Sequence, residues 1–131
     1  MISHSVSPER FRDNPALKGR EDRFLSVEVK VAPVLASWQT SLFAHEWMTS
    51  EGRIKAISEM ADPVVLKRRV AETAIAEEGI LDRPVLGIGI MDNIEIGSGK
   101  DLFLTLAAHG ATYIPVHIPK SHEQEFRMFI R

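Results

Sequence analysis

The chain is expected to fold as an α+β domain, a small mixed sheet with a central β-hairpin and flanking helices. Apolar runs of period two and of period 3.6 succeed one another along it. Asp92-Asn93, a pair that tolerates φ > 0, separates two short apolar runs at hairpin spacing. A hairpin in mid-chain argues for this class over a doubly wound parallel sheet. The length of 131 residues suits one domain with a modest core.

The first 23 residues are polar and charged, broken by Pro8, Pro15 and Gly19, and read as an arm or flexible tail. Residues 24–131 read as a single domain. Val27, Val29 and Val31 alternate with polar residues and predict a half-buried strand over 26–31. After Pro33, the spacing of Val34, Leu35, Trp38, Leu42 and Phe43 predicts a helix reaching about Trp47. Residues 48–60 read as mostly loop. Asp62-Pro63 predicts a helix start with Asp62 as N-cap, and Gly79 a C′ glycine at the helix end. Residues 84–90 are apolar on both faces, as in a buried strand, and 94–96 form the return strand. A short helix from about Leu102 to Gly110, a strand over 112–118 and a last helix opened by a Ser121–Gln124 capping box complete the order β, α, α, β, β, α, β, α.

Composition excludes several functions. With no cysteine there are no disulfides, thiolate nucleophiles or Cys-based zinc sites. Sixteen Lys and Arg against eighteen Asp and Glu give a formal charge of −2, so no global basic field points to nucleic acid. No apolar run is long enough to span a membrane, and the N-terminus lacks a secretory pattern; a cytoplasmic protein is expected.

The segment with most chemical content is Gly97, Ser98, Gly99, Lys100 and Asp101, a Gly-rich turn between strand and helix. It ends like a P-loop, but Ile94 and Asp101 stand where that motif needs glycine and a Ser/Thr hydroxyl. Gly87-Ile88-Gly89 lacks the third glycine of a dinucleotide fingerprint, and a close backbone approach explains the pair better. Two readings of the corner stay open. Amides at a helix N-terminus plus the Lys100 ammonium would hold a phosphate or carboxylate. Alternatively Asp101 caps the helix, Lys100 is solvated and the glycines only turn the chain.

Over about residues 65–118 the chain resembles the ParB/sulfiredoxin superfamily core. The landmarks are Gly79, Pro84, Asp92, Glu95, Ile96, Gly99, Phe103, Gly110, Ile114, Pro115 and Val116. The resemblance implies a nucleotide site, for CTP or ATP/ADP with magnesium, at the corner. Lys100, Asp101 and Leu102 occupy the positions where ParB-type domains carry Glu-Arg-Arg, and Lys100 that of the sulfiredoxin cysteine. The expected function is therefore a non-catalytic or weakly ligand-binding ParB-like domain. It would act through protein interaction in a nucleotide- or DNA-related process. A phosphotransferase or NTPase using the corner is the alternative. DNA binding is not expected without an added domain.

Other candidates carry less. Glu28 and Glu95 are the acids nearest the expected cleft and read as solvent-facing strand residues. His45-Glu46 lacks the second histidine of a zinc-protease motif, Thr49 standing there. His117 and His122 flank a strand-to-helix loop, where a metal is conceivable, and His109 would favour its helix's negative end. The basic cluster Lys67, Arg68 and Arg69 reads as a solvated face. The aromatic segment from Trp38 to Met48 reads as core, or as a partner or self-association surface if Trp47 and Met48 are exposed.

Overall fold

A computed structural model describes residues 6–131. The elements are β1 (Phe11–Arg12), β2 (Phe24–Lys30), α1 (Val31–Trp38), α2 (Asp62–Ala76), β3 (Leu81–Asp82), β4 (Leu86–Ile88), β5 (Ile94–Ile96), α3 (Lys100–Ala108), β6 (Tyr113–Pro119) and α4 (Glu123–Phe126), with short 3₁₀ turns between them. The fold is mixed α+β. Its strands pair in twos: β1 with β3 in parallel, β2 with β6 and β4 with β5 antiparallel. A parallel bridge between Val85 and His117 ties the β4–β5 hairpin to β6.

β6 is the centre of the core. Ile114, Val116 and Ile118 are fully buried, with Val29 on β2, Val34 and Trp38 on α1, Phe103 and Leu104 on α3 and Phe126 on α4 packed into the same cluster. Each such side chain contributes roughly 1.5–3 kcal/mol by leaving water.

Several expected boundaries move, each for a local reason. Helix α1 stops at Trp38, well short of Trp47. The Thr40 hydroxyl donates to Ser37 O (3.0 Å) and the Ser41 hydroxyl accepts from Phe43 N–H (3.2 Å), so side chains compete with helical bonding. Ala61 is the N-cap of α2, placing Asp62 at N1 and Pro63 at N2. At the other end Glu78, not Gly79, takes the left-handed conformation (φ 57°). The strand expected over 84–90 is only Leu86–Ile88, because the chain turns at Gly89, whose N–H donates to Asn93 O (2.7 Å). Asp92 has the positive φ expected of it (59°). The final helix is four residues long and has no capping box.

The described part of the N-terminal stretch, 6–23, is not a free tail. Phe11 and Leu17 are buried, and β1 adds to β3. Arg10 Nε donates to Gly79 O (3.0 Å), and Arg12 and Arg83 pair with Asp82 and Asp13 at 2.6 and 3.0 Å. Its apolar residues are too sparse for a periodicity, so polar content alone misrepresented it. Residues 1–5 of the expected arm lie outside the described residues.

Candidate functional site

The corner is built by close packing. Gly99 is the N-cap of α3 with φ 86°, and a Cβ there would lie 2.8 Å from Pro84 Cα. Only glycine meets both conditions. Ser98 O accepts from Val85 N–H and Gly97 N–H donates to Val85 O, both at 2.8 Å, so the turn is pinned to the strand before it. The Ser98 hydroxyl accepts from Asn14 Nδ2 (3.1 Å), which also donates to Arg83 O (2.9 Å). The expected N-cap role of Asp101 is corrected: it sits at the second helical position. Its carboxylate still lies in the first turn, where it compensates the positive end of α3.

Two clefts flank this corner. The first, about 430 Å³, lies between the N-terminal segment, α2 and the start of α3, and is lined by Arg12, Asn14, Lys67, Ser98, Gly99 and Asp101 among others. The second, about 410 Å³, lies between residues 40–43 and the hairpin tip, and is lined by Leu42, Phe43, Ile90, Met91, Glu95 and Gly97 among others. The five candidate residues therefore do not converge. Ser98, Gly99 and Asp101 face the first cleft and Gly97 the second. Lys100 turns toward the second, with its ammonium 5.9 Å from the centre of the Phe43 ring.

The first cleft is largely self-compensated. Arg12 is paired with Asp82, and Asn14 and Ser98 bond each other; the exceptions are Asp101 Oδ1, buried without a hydrogen-bond partner, and Lys67, which forms no ion pair among the described residues. An anion set against that unpaired carboxylate oxygen would be repelled. The amides of Asp101 and Leu102 have no backbone acceptor, which is ordinary for a first helical turn.

The second cleft differs in kind. Leu42, Phe43 and Met91 are 79%, 60% and 67% exposed and Ile90 is wholly so. Glu95 is not a solvent-facing strand residue: Ser41 Oγ donates to Oε1 (2.8 Å) and Asn93 Nδ2 to Oε2 (3.0 Å), setting the carboxylate in the cleft wall. Trp38, Trp47 and Met48 are buried, so the exposed part of the aromatic segment is Leu42-Phe43. Sequence reasoning missed Ile90 and Met91 because it extended a buried strand through Ile90. Their position beside the Asp92-Asn93 turn was the available signal.

Most of the remaining candidates have structural partners. Glu28 pairs with Arg131 (3.0 Å), and Glu72 gathers Arg68, Arg69 and His109 at 3.4, 3.0 and 2.8 Å. The His109 bond, ahead of those to the arginines, holds the Glu72 carboxyl below its usual range. His122 bonds Glu125 (2.7 Å), while His117 is buried, its Nε2 accepting from Asn14 N–H (3.0 Å). Burial pushes the His117 pKa down, opposed by Asp13 and reinforced by Arg83. Among the described residues no three His, Asp or Glu side chains converge as metal ligands, and His117 Nε2 and His122 Nδ1 are engaged by Asn14 and Glu125. No described helix is long and apolar enough to cross a membrane.

No family model, no curated protein and no solved structure matches the chain.

Proposed function

We propose that the chain is a non-catalytic interaction domain and that its second cleft is the docking surface. The observation that carries this is the convergence of four large exposed apolar side chains, Leu42, Phe43, Ile90 and Met91, on one groove. Apolar groups gathered in this way mark binding surfaces far more often than single exposed ones do. The ParB/sulfiredoxin-like relationship of residues 65–118, and with it a nucleotide- or DNA-related process, is part of the same proposal. The succession of hairpin, glycine corner and α3 supports it. The altered charges at Lys100, Asp101 and Leu102 favour interaction over nucleotide chemistry.

The test uses the ¹⁵N-labelled chain with two sets of probes. CTP, ATP, ADP and phosphate, with and without magnesium, are expected to leave the melting temperature and the amides of 97–102 unchanged. A hydrophobic fluorescent dye is expected to perturb 40–43 and 89–91. Stabilisation by a nucleotide that Lys100→Ala removes would overturn the proposal in favour of a phosphate site.

A further inference from the structure

We propose that the second cleft takes an extended, basic segment of a partner protein. One apolar side chain of that segment lies between Phe43 and Met91, and a lysine or arginine meets Glu95. The inference rests on the reading of this cleft as the docking surface and names the partner's chemistry.

Charge is the first ground. Glu95 sets a carboxylate in an otherwise apolar groove, and both its contacts are to neutral donors, Ser41 and Asn93. Among the described residues no cation lies within ion-pair distance of it; Lys100 is held over Phe43 instead. Asp92, exposed at the hairpin tip, adds a second negative charge beside the groove. A carboxylate already oriented by two hydrogen bonds can accept a guanidinium or ammonium without reorganising.

Backbone geometry is the second ground. The β4–β5 register pairs Gly87 with Glu95, and Gly97 N–H donates to Val85 O, so Ile94 and Ile96 turn their N–H groups away from β4. The Ile94 N–H is taken by Ser37 Oγ (2.8 Å). The Ile96 N–H points to the same open edge of β5, and Ile96 forms part of the cleft wall. An extended segment brings a main-chain carbonyl to such an edge donor, whereas the carbonyls of a docked helix are already used. Edge donor, acid and apolar rim together specify an extended basic-apolar occupant.

The experiment titrates the labelled full chain with a blocked pentapeptide, acetyl-Leu-Val-Arg-Val-Leu-amide, and with versions carrying norleucine or glutamate for arginine. The arginine peptide is expected to bind at least about tenfold tighter than the glutamate one. It should move the Ile96 amide resonance, and Glu95→Gln should bring the arginine and norleucine affinities together. Equal binding of all three peptides, or binding that leaves Ile96 unmoved, would overturn the inference. No peptide binding with the dye still held at 40–43 and 89–91 would overturn it while sparing the docking surface. Loss of dye binding as well would overturn both. Concentration-dependent self-association that shields Ile90 and Met91 would make a second copy the occupant, and would also overturn it.

Discussion

The two clefts share a wall and differ in nearly everything else. On one side of the Gly97–Asp101 turn, polar groups meet each other: Arg12 with Asp82, Asn14 with Ser98, Asn14 N–H with His117. On the other, apolar side chains meet water and one acid, Glu95, forms no ion pair among the described residues, Lys100 lying over Phe43. The contrast separates residues that hold the molecule together from residues that the fold itself leaves unused. It also shows why a glycine-rich turn is weak grounds for a phosphate site. Here the glycine is required by Pro84.

The sharpest way to break the comparison is Gly99→Ala. It places a Cβ 2.8 Å from Pro84 Cα at a φ of 86°, and should cost about 3 kcal/mol in urea unfolding. Gly97→Ala meets only Val85 O at 3.4 Å, an ordinary contact, and should cost about 1 kcal/mol or less. Similar losses at both positions would mean that the turn is not held by Pro84 as described.

Next comes the N-terminal segment. Asn14→Ala removes donors to Arg83 O and Ser98 Oγ, together with the Oδ1 acceptor for Ala16 N–H. It should cost about 2 kcal/mol. In a double-mutant cycle with Ser98→Ala the coupling should be about 1 kcal/mol, whereas strict additivity would show that the first cleft is not closed from the N-terminal side.

Legibility in the sequence follows the range of the interaction. The order of the longer elements was readable because it depends on local periodicity and on Asp92-Asn93. The role of residues 6–23 was not, since it depends on partners 64 to 103 positions away: Ala74, Gly79, Asp82, Arg83 and His117. The corner is legible as architecture, yet in sequence its five residues read as one site. Which side of a turn each side chain faces is set by tertiary packing. The second cleft was half visible, because Leu42 and Phe43 lay in a segment already noted as aromatic. A helix extended through them hid their exposure.

His117 gives a smaller effect that depends on pH. Its Nε2 must be unprotonated to accept from Asn14 N–H, and burial lowers its pKa from the usual 6.5. The unfolded chain therefore binds the proton more readily than the folded one. This group's contribution is complete above about pH 6.5 and is lost as pH falls from there through the lower folded value. Chemical denaturation at a series of pH values should show stability falling below pH 6.5. His117→Gln, whose Oε1 can replace Nε2 as acceptor, should flatten that part of the profile. An unchanged slope in the variant would place the titration elsewhere.

The smallest expected effect on stability completes the comparison. Ile90→Ser alters a wholly exposed side chain and Met91→Ser a mostly exposed one, so each should leave the unfolding free energy within about 0.5 kcal/mol. Either change should still sharply reduce dye and peptide binding at the cleft. Phe103→Ala is the control: a fully buried ring whose removal should cost about 4 kcal/mol. Stability and binding are thus expected to separate at the hairpin tip and to fall together in the core. If Ile90→Ser instead cost 2 kcal/mol or more, the tip would already be covered in solution, and the opposition between a largely paired cleft and an open one would fail.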